Sequence, residues 1–331
     1  MPGSTAAKGE YKSYAFVAAK KALSDFINRK CIKGQVIDGV WTGSYHINRD
    51  LLGNSLISII IPTKDNVKVL KKCIDSIFKY TKYNNYEIII VNNNSTENST
   101  YDYFEIIKKM NNIEILDYEK DFNFSAINNF AVEKAKGDYI LFLNNDTEII
   151  SENWLDSLLK QAQRKEVGAV GCKLLYPNET IQHAGLVLGM GMHKIAGQPH
   201  QHFPRSSYGY MGRVAIIHDV SAVTAACIMM RKEVFEEVGG FDEINLAVAY
   251  NDIDLCLRLK QLGYLIVYTP YAELYHHESL SRGFEDSPEK QARFLSEARY
   301  IREKWGNLID EGDPYYSKNL TLEKGDFSIR I

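Results

Sequence analysis

The segment LISIIIP at 56–62 is apolar at every position but Ser58 until it ends in proline. Such a run, without polar alternation, belongs to a strand covered on both faces of a parallel sheet. The chain from there to position 143 repeats the pattern. Positions 67–80 carry apolar residues at helical spacing, and YEIIIV (86–91) reads as a second strand. A helix over 97–110, a strand at IEIL (113–116), a helix over 125–135 and a strand at DYILFL (138–143) complete the series. Strands alternating with helices of this length predict an α/β chain with a right-handed, doubly wound sheet. Such sheets bind ligands at the carboxyl ends of their strands, so the residues just past each strand carry the chemistry.

The second half is less regular. VGAVGCKLLYP (167–177), IQHAGLVLG (181–189), RVAIIHDV (213–220) and TAACIMM (224–230) read as strands separated by long loops. Helices are expected over 232–238 and 252–262, a strand at YLIVYT (264–269), and a charged helix over 288–304 before a polar tail. At the other end, 14–29 carries apolar residues at helical spacing, and glycines 34, 39, 43 and 53 mark turns. That first helix reads either as packed on the main domain or, with Lys20, Lys21, Arg29 and Lys30 on one face, as a partner- or membrane-surface helix. The organisation expected is an extension over 1–55, one catalytic domain over 56–285 with halves 56–150 and 151–285, and a C-terminal helix and tail over 286–331.

Composition removes several classes. With 45% hydrophobic and 24% charged residues the chain is not wholesale disordered. A net charge of -3 gives no electrostatic footprint for nucleic acid. No apolar run is long enough to span a bilayer, and the first dozen residues lack the apolar core of a signal peptide. Cys31, Cys73, Cys172, Cys227 and Cys256 are scattered without a paired spacing, which argues for buried free thiols in a reducing compartment.

The strand ends read Pro62-Thr63-Lys64-Asp65, Asn92-Asn93-Asn94-Ser95-Thr96 and Asn144-Asn145-Asp146-Thr147. Neither the dinucleotide glycine fingerprint nor a phosphate-binding P-loop occurs. Carboxylates, amides and hydroxyls gathered there can hydrogen-bond a base and a ribose and give oxygen ligands to a divalent cation.

The ordered series IIIPTKD (59–65), IIIVNNNST (88–96), KAKGDYILFLNNDTEI (134–149), VGGFDE (238–243), NDIDLCLR (251–258) and HHESLSRG (276–283) resembles family 2 glycosyltransferases of the GT-A fold. FNFSAINN (122–129), QHAG (182–185) and HHESLSRG are most similar to bacterial rhamnosyltransferase-like enzymes of surface polysaccharide synthesis. The resemblance implies a mostly parallel sheet with a smaller, mixed acceptor-side sheet. It also implies inverting transfer of a sugar from a UDP- or dTDP-linked donor, dTDP-rhamnose among them, to a glycan or lipid-linked acceptor. The work would be done in the cytoplasm, either free or at the inner face of the plasma membrane.

The family's Asp-x-Asp motif falls on Asn144-Asn145-Asp146, which makes Asp146 the expected ligand of Mn2+ or Mg2+ and leaves Asn144 without charge. Neighbours on an extended strand face opposite ways, so one of His276 and His277 reaches the metal, and the motif register favours His276. Arg282 is expected on the diphosphate. The family's general base falls on Asp252, with Asn251 where many relatives carry glutamate; Asp254 is read as a salt-bridge partner of Arg258. Pro62, Thr63, Asp65, Asn92, Asn123, Ser125, Asn128, Asn144 and Asn145 are donor-side candidates, and Gln182, His183, Asp242 and Asn251 acceptor-side ones. Two other readings stay open: a sugar nucleotidyltransferase, and a glycan-binding module whose catalysis has lapsed.

Overall fold

The computed structural model describes residues 13–278 and 287–331. Helix α1 (Ser13–Arg29) leads into a hairpin of β1 (Gly34–Asp38) and β2 (Tyr45–Arg49). The hairpin is a departure from the sequence reading, in which the glycines around it marked only turns. α1 lies against it: the Tyr45 hydroxyl donates to the Phe16 carbonyl at 2.8 Å, while Tyr14 and Val17 face outward. Cys31, in a left-handed turn after α1, is exposed, contrary to the expectation of a buried thiol; the other four cysteines are buried.

The first half of the domain then keeps the expected alternation. It runs β3 (Ile57–Thr63), α2 (Val67–Tyr80), β4 (Tyr86–Asn92), α3 (Asn98–Ile107), β5 (Ile113–Asp117), α4 (Phe124–Lys134) and β6 (Tyr139–Leu143). β6, β3, β4 and β5 are parallel neighbours in that order. Ile57, Ile59, Ile60 and Ile61 are wholly buried, as two-sided coverage requires.

The other half adds a short β7 (Thr147–Ile149), α5 (Trp154–Ala162), β8 (Val167–Leu175), β9 (Ile181–His183), β10 (Val187–Leu188), β11 (Ala196–Gly197) and β12 (His218–Val220). β13 (Cys227–Arg231), α6 (Lys232–Glu237), α7 (Asn251–Gln261), β14 (Leu265–His276) and α8 (Pro288–Glu311) complete it. β13 lies antiparallel between β6 and β8, so the two halves share one ten-stranded mixed sheet in the order β12-β14-β8-β13-β6-β3-β4-β5. β7 and β9 pair off that path, on β14 and β8.

The strands expected over 213–220 and 224–230 begin only at His218 and Cys227, after turns, and two others differ from their expected lengths for identifiable reasons. The run 181–189 breaks at Gly185, whose φ of 89° no strand accommodates. β14 instead continues past 269 to His276 after a register shift between Thr269 and Glu273. Pro270, which has no N–H for the ladder, sits inside that shift. The continuation carries His276 alongside Thr147 of β7.

The C-terminal helix α8 is tied to α7 and to the loop that precedes it. Asp254 on α7 is fully buried and accepts from Arg258 Nε at 2.7 Å, Trp305 Nε1 at 2.8 Å and Lys304 Nζ at 2.7 Å. Arg258 also donates to the carbonyls of Val238 and Gly240, tying the VGGFDE loop to α7. Glu297 of α8 accepts from the Val248 and Ala249 amides at 3.0 and 2.9 Å. Removing one partner from such a buried set strands the others, so Asp254→Ala is expected to lower unfolding free energy by about 3–5 kcal/mol in a urea titration. A loss under about 1 kcal/mol would show that α8 is not held through this side chain. Among the described residues no helix is long and apolar enough to cross a membrane.

Candidate active site

The carboxyl ends of β3 and β6 and the amino end of α7 enclose a cleft of about 530 Å³. β6 ends in a tight turn in which the Thr147 hydroxyl and amide both donate to the Asn144 carbonyl. The Asn144 amide donates to the Ala226 carbonyl at 3.0 Å, and Asn145 Nδ2 donates to Thr63 Oγ1 at 2.9 Å. The turn is thereby fixed to both neighbouring strands, and Asp146 is held at the cleft floor, 5% exposed.

β14 brings His276 to the same floor. Its Nε2 lies 3.2 Å from Asp146 Oδ1 and 3.3 Å from Asn144 Nδ2. His277 points the other way, to Glu148 at 3.3 Å and Lys72 at 3.2 Å. The alternation expected of an extended strand therefore separates the two histidines.

Asp252, the second residue of α7, lines the same cleft as Asp146. Tyr250 before it adopts a left-handed φ of 61°, which turns the chain sharply into the helix. Asp252 Oδ2 accepts from the Ala225 amide at 3.1 Å and Oδ1 from the Ile253 amide at 2.8 Å. Burial raises its pKa above the ordinary aspartate value, and these amides with the Thr224 hydroxyl only partly oppose the rise.

Pro62, Thr63, Asn144, Asn145 and Asn251 also line the cleft. Asn251, 3% exposed, donates to the Val248 carbonyl at 3.0 Å. The remaining candidates have other surroundings. Asp65 caps the start of α3, accepting from the Thr96 and Glu97 amides at 2.7 and 2.8 Å. Asn92 is buried, donating to Asp117 at 2.8 Å and accepting from the Ser95 amide. Asn123 is the N-cap of α4, Ser125 bonds the Leu246 carbonyl, and Asn128 donates to the Phe124 carbonyl.

His183 is buried between Gln198 and the Gly185 amide, and burial holds its pKa down at about 4. Asp242 braces its own loop through Asn245 and takes the Tyr300 hydroxyl at 2.9 Å. Gln182 stands behind His276, bonded to it. Arg282 lies outside the described residues.

The cleft also contains groups that the motifs did not single out. Lys64 and Asn93 sit within the quoted strand-end segments, and Phe122 and Phe124 flank α4's start. Lys290 comes from α8, and Thr224, Ala225 and Ala226 precede β13. Their position depends on tertiary placement alone, so no residue-type signal marks them.

The family model for glycosyl transferase family 2 matches residues 58–239. The chain belongs to this family. This family 2 chain is 44% identical over 98% of its length to an uncharacterized protein, y4gI, of Sinorhizobium fredii, covering 36% of that protein. It is 39% identical, again over 98%, to the O-antigen biosynthesis protein RfbC of Myxococcus xanthus, covering 25% of it. The chain thus spans about a third and a quarter of the length of these two relatives. An N-acetylglucosaminyl-diphospho-decaprenol L-rhamnosyltransferase of Mycobacterium tuberculosis is 28% identical over 50% of the chain and 56% of that enzyme.

Among solved structures, GalNAc-T7 with UDP, GalNAc and Mn2+ superposes with a TM-score of 0.63 over 83% of this chain and 52% of that one. The mannosyltransferase PcManGT from Pyrobaculum calidifontis, in complex with GDP-Man and Mn2+, gives 0.55 over 90% and 78%. At 15% identity each, these two establish the GT-A fold for this family 2 chain.

The floor of the cleft suits a divalent cation. Burial alone would push the Asp146 carboxyl up, but the hydrogen bond and charge that His276 offers when protonated, then the backbone amide of Asp146 and the charge of His277, hold it below the ordinary aspartate value. Among the described residues no group of three or more His, Cys, Asp or Glu side chains could cage a metal. Asp146 and His276 would supply one oxygen and one nitrogen donor, and a Mn2+ or Mg2+ ion held there would take its other ligands from donor oxygens and water.

Proposed function

We propose that this chain is an inverting, divalent-metal-dependent glycosyltransferase. It moves a sugar from a nucleoside diphosphate donor, UDP- or dTDP-linked, to a hydroxyl of a glycan or lipid-linked acceptor. The observation that supports the reading is that Asp146, with His276 beside it, and Asp252 all line a single cleft. Asp146 and His276 would hold the metal, whose charge would offset the negative charge growing on the departing diphosphate. Asp252 takes the proton from the acceptor hydroxyl as that oxygen attacks the anomeric carbon from the face opposite the diphosphate. One displacement of this kind inverts the anomeric configuration. Thr63, Lys64 and Asn93 form the donor-side wall; Phe122, Phe124 and Val248 offer apolar surface on which an acceptor ring can rest.

The relatives named for O-antigen biosynthesis and rhamnosyl transfer support a role in surface polysaccharide synthesis, with dTDP-rhamnose among the donors to test. Incubation with UDP- and dTDP-sugars, Mn2+ and candidate acceptors should release nucleoside diphosphate and give a product of inverted anomeric configuration by NMR. Release of pyrophosphate from a nucleoside triphosphate and a sugar phosphate would replace this reading with nucleotidyl transfer. Donor binding without turnover across the acceptor panel would replace it with a binding module.

The pH dependence is set by Asp252. A base must be ionised to act, and burial raises the pH at which this carboxyl ionises. The acid limb of kcat/KM is therefore expected above the ordinary aspartate range, with rate falling as pH falls through it. A limb at or below the range of an exposed aspartate would remove Asp252 from that role.

A further inference from the structure

Gln182 lies outside the cleft lining, on β9, and is 6% exposed. Its side chain makes three contacts. Nε2 is 3.3 Å from the His276 carbonyl and 3.2 Å from Glu278 Oε2; Oε1 is 2.8 Å from His276 Nδ1. The first two partners are pure acceptors, so the amide must turn its NH2 toward them. Its oxygen then faces Nδ1, and that nitrogen must carry the proton. In the neutral ring, the form able to ligate a metal, His276 Nε2 is then the nitrogen with the lone pair.

That lone pair points at Asp146 Oδ1, another acceptor, 3.2 Å away, while Asn144 Nδ2 approaches from the side at 3.3 Å. Two acceptors turned toward each other are the arrangement a cation relieves. We propose that Gln182 is a positioning residue: it fixes the tautomer and ring plane of His276, so that Nε2 is presented to the divalent metal beside Asp146. The inference rests on the reading of Asp146 and His276 as metal ligands. It moves Gln182 from the acceptor side of the reaction to the support of the metal. The support is rigid, because β9 pairs with β8 and β8 with β14, so both residues stand on one sheet. A partner on the far nitrogen of a ligating histidine typically sets affinity by about 10–100-fold.

The test uses Gln182→Met, which keeps the length of the side chain and removes both polar atoms. A rescue variant combines Gln182→Glu with Glu278→Gln, which keeps an acceptor for Nδ1 and a bond to position 278. Two measurements are made on each: the ring 15N shifts of His276 without metal, and free Mn2+ by electron paramagnetic resonance during titration with Mn2+ alone. The expected result is a single Nδ1–H tautomer in the unsubstituted protein, a tautomer mixture and about 10–100-fold weaker Mn2+ binding in Gln182→Met, and recovery of both in the rescue variant. An unchanged tautomer and unchanged Mn2+ affinity in Gln182→Met would overturn the proposal, provided His276→Ala and Asp146→Ala weaken binding. If those two alanine variants bind Mn2+ normally, the metal reading itself falls, and the metal-free 15N shifts still decide whether Gln182 orients the ring.

Discussion

Asp252→Asn is expected to lower the turnover number by about 100- to 10,000-fold, the range contributed by a positioned general base, while leaving donor affinity nearly unchanged. The substitution keeps the size of the side chain and an oxygen able to accept from the Ala225 amide. The cleft wall should therefore persist, with the capacity to take a proton removed and, besides it, only the bond from the adjacent Ile253 amide lost. The acid limb of the pH profile should vanish with it. Donor binding measured by calorimetry separates a catalytic role from a structural one. If affinity for the donor fell as steeply as turnover, Asp252 would be shaping the donor site instead of acting on the acceptor hydroxyl.

Asp146→Ala is expected to act at the earlier stage. It removes the charged partner of His276 on the cleft floor. Mn2+-dependent donor affinity should fall, and turnover at saturating donor should drop by at least about 100-fold, the scale seen when one stabilising group is withdrawn from a developing anion. Excess Mn2+ should restore part of the binding if His276 still holds the ion weakly. Equal donor affinity with and without Mn2+ in the unsubstituted protein would remove the basis for this expectation.

The half from β3 to β6 was legible in the sequence because its strands are buried on both faces. An isoleucine-rich run bounded by turn residues has few alternatives once helices of fixed length alternate with it. The positions of Asp146 and Asp252 could be read from motifs at element ends, which the topology gathers at one cleft. Other features depended on tertiary contacts that no local pattern records. β14 reaches His276 only because a register shift around Pro270 lets the strand continue along β8 and onto β7. α8 extends to Glu311, seven residues past the expected end, and its Glu297 and Trp305 secure the loop and helix that carry Asp252. Asn92 and Asp65 carried residue types suited to a nucleotide, yet their polar atoms are engaged by Asp117, Ser95, Thr96 and Glu97. A polar residue at a strand end is as able to finish the local backbone as to meet a ligand. Gln182 illustrates the converse: QHAG marked it as polar and near the site, but only the fold shows that it faces a histidine from behind.

A crystal structure with nucleoside diphosphate and Mn2+ tests the central claim most directly. Anomalous density for Mn2+ is expected between Asp146 and His276, with the diphosphate against it and Asp252 facing the open side from which an acceptor approaches. Metal and diphosphate bound elsewhere, with the Asp146 and Asp252 cleft filled only by solvent, would contradict it.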